Sequence, residues 1–209
     1  RSILILTVTN RCDSGWSMGL QTIPGDEVEA TGVAIYMIDE HGLDSFDVEL
    51  IAGENFSATD VTWRERSQSS WPDKVIISKE MADTLYPEKS WQHAVGQTVY
   101  IQGTSPMMVV GVVDQLQAPW TSWTGVERTM FVAQKQLFGS SVYLIRTEPG
   151  QRDSLMPQVE EMLAANKDRM IRNLTSVDEL RTQSYRTDSA MVSILSLIMT
   201  VLVVITGLG

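Results

Sequence analysis

From Ala190 to Gly209 the chain carries no charged residue. A run of this length meets the requirement of about 20 residues for crossing a hydrocarbon core. Ahead of it, Ser176-Val-Asp-Glu179 reads as a capping box, in which a serine hydroxyl and a glutamate three residues on satisfy each other's orphan amides. A polar, helix-compatible segment follows through Asp188, and neither glycine nor proline interrupts Val177 to Thr206. The pattern predicts one continuous helix, about 50 Å long at 1.5 Å per residue. It is water-compatible in its first half and lipid-compatible in its second, as a stalk entering a membrane would be. Ser193, Ser196, Thr200 and Thr206 do not oppose this, because small hydroxyl residues are common where membrane helices pack together. The alternative, a helix buried in a soluble core, needs apolar protein on every side, and the preceding chain is too polar to provide it.

That polarity also excludes a function class. Sixteen Lys and Arg stand against 26 Asp and Glu, a net charge of −10, with no basic run anywhere. Phosphate-backbone binding needs basic clusters, so nucleic acid is not a partner. Cys12 is the single cysteine, so no disulfide forms within the chain, and it reads as a small, partly buried apolar residue. A start at Arg1 and an end inside the apolar run read as a piece cut from a longer polypeptide, beginning mid-domain.

Along the chain, residues 2–9 read as a buried aliphatic strand and Asn10 to Gly25 as a loop. Val28 to Ile38 has strand character, and Asp39 to Phe46 a short connector of one or two helical turns. Val48 to Ile51 follows, then a turn at Gly53 and a polar, mobile loop over Asn55 to Trp71. Lys74 to Ile77 is a strand running into Ser78 as the cap of a helix bearing Met81, Ala82, Leu85 and Tyr86 until Pro87 stops it. Gln97 to Ile101 and Met107 to Val113 form a hairpin. Asp114 to Arg128 is an exposed loop with Trp120 and Trp123, and Thr129 to Ala133 and Val142 to Arg146 are strands. Ser154 caps a helix to Asn166, with Pro157 in its first turn and Leu155, Val159, Met162 and Leu163 on one face. Met170 to Leu174 closes a βαβ-like unit leading into the stalk.

No catalytic constellation stands out. His41 and His93 lie 52 positions apart without metal-ligand spacing, and there is no nucleophile elbow or phosphate loop. Asp44, Asp47, Glu49 and Glu54 lack EF-hand spacing and read as a solvated acidic face. The sequence therefore predicts no enzyme, cofactor or metal site. Tryptophans in polar loops are candidate interface anchors, and Trp120 and Trp123 are the candidates for partner contact.

Four segments carry a resemblance: Val48-Glu-Leu-Ile-Ala-Gly-Glu-Asn-Phe56, Val75-Ile-Ile-Ser-Lys-Glu-Met-Ala-Asp-Thr-Leu-Tyr-Pro87, Val95-Gly-Gln-Thr-Val99 and Val109-Val-Gly-Val-Val113. In this order, with an apolar helix after them, they resemble the periplasmic core domain of MacB/FtsX-like ABC transporter permeases. The loops over Asp114 to Arg128 and Asn55 to Trp71 depart from the family's pattern. The resemblance implies an α+β, two-lobed extracytoplasmic domain: a porter-like βαβ lobe from residues 1–27 and 140–175, an inserted mostly-β lobe at 28–139, and a stalk continuing into the second transmembrane helix at 176–209. It also implies a second permease copy, a cytoplasmic ABC ATPase, a possible periplasmic adaptor protein, and a place in the bacterial inner membrane facing the periplasm.

In that setting Ser176, Glu179 and Asp188 belong to a helix that couples ATP hydrolysis to the outer domain. A membrane receptor's extracellular sensor domain is the rival reading, which needs an enclosed pocket with convergent polar groups. A membrane-anchored hydrolase is a third, and it lacks a catalytic set.

Overall fold

In the computed structural model, described over residues 2–7, 16–25, 28–65, 70–118, 120, 123–137, 142–165 and 173–208, the chain forms a mixed α/β fold. It divides into two compact units, Val8–Leu144 and the pair Arg1–Thr7 with Ile145–Gly209. Cys12 lies outside the described residues.

The unit Val8–Leu144 is built on strands β2 (Trp16–Gln21), β3 (Thr31–Ile38), β4 (Leu50–Gly53), β5 (Thr62–Glu65), β6 (Lys74–Ser78), β7 (Thr98–Ile101), β8 (Ser105–Val113) and β9 (Thr129–Leu137). Hydrogen bonding runs β3-β2-β7-β8-β6-β9, and a parallel β3–β9 pairing closes these strands into a ring. Alternate residues point inward, as strand geometry requires. Val33 and Ile35, Val75 and Ile77, Val99 and Ile101, Met107 and Val109, and Met130 and Val132 share one buried core.

Helix α2 (Lys79–Leu85) adds Met81 and Ala82 to that core. Its cap forms as expected, with the Met81 amide donating to Ser78 Oγ at 3.3 Å. A second core gathers the opposite faces: Ile76, Val110, Val113 and Phe131 under Leu43 and Phe56, with Leu43 on the short helix α1 (Gly42–Phe46). Strand β6 is thus buried on both sides, which explains its unbroken Val75-Ile-Ile77 run.

Two stretches expected to be loops contain strands. Within Asn10 to Gly25, β2 pairs with β3 and β7. Its glycine is a close approach rather than a turn, since a Cβ on Gly19 would sit 2.6 Å from that of Ala30. Within Asn55 to Trp71, β5 pairs in parallel with β9. The chain before β5 is tied down too: Asp60 accepts from the Ser57 amide at 2.8 Å and from Lys74 Nζ at 2.8 Å. Strand β2, within the stretch over 1–27, belongs to this sheet and to the unit Val8–Leu144.

A separate three-stranded sheet holds β10 (Val142–Thr147), β1 (Ser2–Thr7) and β11 (Asn173–Ser176) in the order β10-β1-β11, with β1 and β11 antiparallel; β1, β11 and the end of β10 from Ile145 belong to the other unit. Helix α3 (Arg152–Ala164) joins β10 to β11 and contacts β1. Its cap is Gln151, three residues ahead of the expected Ser154. Ser154 does not cap it; its hydroxyl donates to the Gln151 carbonyl at 2.8 Å, and Pro157 falls at the sixth helical residue. Leu155, Val159 and Leu163 are half-buried on one face, whereas Met162 is 76% exposed.

Helix α4 (Val177–Leu208) is continuous over 32 residues. Among the described residues, however, no helix is long and apolar enough to cross a membrane. The described side chains of its apolar stretch run over 191–207, about 25 Å at 1.5 Å per residue, against a hydrocarbon thickness of about 30 Å. The expected membrane span is therefore not met on these residues. What is found is an apolar rod with Met191, Ile194, Leu197, Val201 and Ile205 all exposed.

Candidate functional site

Two places carry the residues singled out from the sequence. One is the loop between β8 and β9. Tyr36 on β3 donates its hydroxyl to the Gln117 carbonyl at 3.1 Å, and burial pushes the Tyr36 phenol up to about 12. Farther on, the Ala118 amide bonds the Val126 carbonyl at 2.6 Å, and the Trp123 amide bonds the Trp120 carbonyl at 3.1 Å. The loop is therefore folded onto itself before β9 begins.

Within it the two indoles meet edge-to-face, their centroids 6.0 Å apart at 83°. The Arg128 guanidinium stacks 5.4 Å from the Trp123 ring, and Trp123 lies over Gly32 of β3, where a Cβ would come within 3.2 Å of the ring. Both tryptophans are half-buried. Trp123 packs onto the barrel wall and serves its own loop. Trp120 rests edge-on against Trp123.

The second place is the start of α4. The Ser176 amide donates to Glu179 Oε2 at 3.0 Å and the Glu179 amide to Ser176 Oγ at 3.2 Å, so both halves of the capping box form. Thr175 Oγ1 adds a third hydrogen bond to the same carboxylate at 2.9 Å. These bonds, led by that from the Ser176 amide, hold the Glu179 carboxyl below its ordinary range. Ser176 is buried and also pairs with Leu4 in the β1–β11 ladder, so the helix starts directly from the sheet. Asp188 lies on the helical backbone, and its side chain lies outside the described residues. The loop and the cap belong to different units.

Sequence reasoning missed a third cluster. Arg64 on β5 stands between two indoles, 5.7 Å from the Trp16 ring and 5.1 Å from that of Trp71. Trp63, 62% exposed, lies 6.0 Å from Lys135 Nζ, and Lys135 also pairs with Asp39 at 3.2 Å. The signal was two tryptophans and an arginine, Trp16, Arg64 and Trp71, far apart in sequence and brought together in the fold.

Elsewhere, Lys79, Glu80, Asp83, Asp114, Gln115 and Glu127 line a recess open to solvent, where Gln115 bonds Glu127. The residues around it hold no nucleophile–base pair. His93 Nε2 lies 2.9 Å from Lys89 Nζ and edge-on to Tyr86. No group of three or more metal-ligating side chains occurs among the described residues.

The profile of a family described as the MacB-like periplasmic core domain matches residues 9–169. Among solved structures, the chain is similar to the extracellular domain of the noncanonic ABC-type transporter YknZ from Gram-positive bacteria. The identity is 20% and the TM-score 0.50, covering 80% of this chain and 77% of that one. A second similar structure is the periplasmic region of MacB from Actinobacillus actinomycetemcomitans, at 16% identity and a TM-score of 0.49, covering 86% and 74%. No curated protein sequence matches the chain. At these identities the likeness to YknZ speaks for the fold alone.

Proposed function

The chain belongs to the family of MacB-like periplasmic core domains, and we propose that it is the extracytoplasmic domain of an ABC permease subunit that receives motion from cytoplasmic ATP hydrolysis through α4. The observation that carries this reading is the continuity of α4 with β11. Ser176 is at once a ladder residue of the sheet and the cap of a 32-residue helix. A helix hydrogen-bonded turn to turn passes axial displacement to the sheet, where a loop would absorb it.

The apolar end of α4 supports the membrane part of the reading. Twelve aliphatic and methionine side chains between Met191 and Ile205 are exposed, far more contiguous apolar surface than water tolerates on a free protein. Thr200 and Thr206 donate their hydroxyls to carbonyls one turn back, at 2.8 and 2.9 Å, so neither brings an unpaired donor into a dry environment. In this reading lipid and neighbouring helices cover that surface, placing the domain on the outer side of the bacterial inner membrane. The partners are a second permease copy and a cytoplasmic ABC ATPase. An adaptor protein is the candidate for the β8–β9 loop, with Trp120 as the contact and Trp123 as its support.

Asp188→Pro tests the coupling, because proline removes an interior hydrogen bond and breaks the rod at a cost of about 3 kcal/mol. In the reconstituted permease–ATPase complex, ATP hydrolysis should persist while the ATP-dependent change in hydrogen exchange over β1 and β11 disappears. If the variant keeps that change, α4 is not the coupling element. Trp120→Ala should preserve the change and weaken adaptor co-purification; undiminished co-purification would remove Trp120 from the contact.

A further inference from the structure

Two glycines make room for one indole in the loop between β8 and β9. Cζ2 of Trp123 lies against Gly32 of β3, where a Cβ would come within 3.2 Å of it. The same atom lies against Gly125 of its own loop, where a Cβ would come within 2.7 Å. A Cβ on Gly125 would also run into the Arg128 guanidinium, which stacks on the Trp123 ring. Gly125 is itself buried. The edge of Trp123 thus occupies a slot that exists because two side chains are missing, with Arg128 as its third wall.

The walls of the slot are tied to the barrel. The Arg128 amide donates to the Gly125 carbonyl at 2.8 Å, and the Arg128 carbonyl accepts from the Ala34 amide at 2.9 Å. Both glycine walls are therefore anchored through β3. One residue earlier, the Glu127 carbonyl accepts from the Ser78 hydroxyl at 2.7 Å. That hydroxyl in turn accepts from the Met81 amide at 3.3 Å and the Thr129 amide at 3.1 Å. A serine hydroxyl has one donor and two acceptor positions, and the buried Ser78 uses all three. Trp120 meets this frame through Trp123, edge-on at 6.0 Å.

We propose that Gly32, Gly125 and Arg128 are positioning residues for the Trp120 contact. They hold Trp123 in the slot, and Trp123 sets the angle at which Trp120 is presented. A contact already held in its bound orientation loses less side-chain freedom on binding, so the loop is set for its partner beforehand. This rests on the reading of Trp120 as the adaptor contact and adds which residues aim it.

The test labels the six tryptophans of the whole chain, in detergent, as 5-fluorotryptophan. The fluorine signals of Trp120 and Trp123 are assigned with Trp120→Phe and Trp123→Phe. Gly125→Ala places a methyl where Arg128 and Trp123 now meet. Both signals should move, and adaptor co-purification should fall as it does with Trp120→Ala. The signals of Trp71 and Trp91, which pack against the first core, should stay in place. Unmoved Trp120 and Trp123 signals overturn the slot. Moved signals with undiminished co-purification, where Trp120→Ala lowers it, overturn the positioning role and leave the contact standing. If Trp120→Ala itself leaves co-purification intact, the contact reading fails and the positioning role fails with it. Should Gly125→Ala not fold, Arg128→Gln removes one wall without adding bulk. It should move the same two signals and speed exchange of the Trp123 and Val126 amides about threefold, as expected for a lost cation–π contact. No change in either overturns the slot.

Discussion

Asp60 gathers three donors on one carboxylate: the Ser57 amide, the Ser57 hydroxyl at 2.7 Å and Lys74 Nζ. Together they hold its carboxyl down to about 2, with the Lys74 contact the largest cause. A carboxylate depressed in the folded state contributes stability above its unfolded pKa of about 4 and loses it as pH falls toward the folded value. Lys74 is raised by the same bond, so its share is present below its ordinary range and fades only in strong alkali. The pair therefore shapes the acid limb of stability. Asp60→Asn should flatten the fall between about pH 4 and pH 2, measured as the urea midpoint of the barrel at each pH. Parallel profiles for the two proteins would mean that Asp60 is no better bonded in the fold than out of it. At this scale glycine also matters where backbones meet: Gly53 has a φ of +78°, and a Cβ there would run into the Val110 carbonyl.

Elements differ in how far their own residues determine them. Helix α2 was readable because its cap, its apolar face and its stopping proline are all local, and Ser78 bonds as that pattern requires. The capping box of α4 was readable for the same reason. Ser176→Ala removes one of its two reciprocal bonds and should cost about 1 kcal/mol. The matching measurement is faster exchange of the Glu179 amide, with exchange farther along α4 unchanged; an unaffected Glu179 amide would count against the cap. Strands β2 and β5 were not readable. Their composition is that of loops, and what makes them strands is the partner: Gly19 faces Gly32, and Trp63 faces Lys135. The start of α3 was misplaced because a serine near a helix start can donate backward as well as accept forward. The Arg64 cluster was invisible because its members meet only after three strands have paired.

The buried apolar side chains described lie mostly in one of the two units. Every buried hydrophobic residue among the described ones falls between Leu20 and Ala133, inside Val8–Leu144. That unit has two cores, and its ring of strands leaves few open edges. In the other unit α3 has no buried residue, and the buried residues described there, Thr147 and Ser176, are polar. Hydrophobic burial is the main force opposing chain entropy, and Val8–Leu144 has two clusters of it. Residues 8–144 expressed alone should fold and unfold in one cooperative transition, because both cores are built on the same ring of strands and single chains under about 150 residues behave as two states. Thermal unfolding followed by near-ultraviolet circular dichroism reports on the aromatic packing directly, since Tyr36, Phe46 and Phe131 form one ring cluster in the second core. A sigmoidal loss of that signal is the expected result. A flat, featureless spectrum for the excised unit would mean that the barrel borrows its order from the strands and helices outside it. The two cores of Val8–Leu144 would then not be enough to hold that unit on their own.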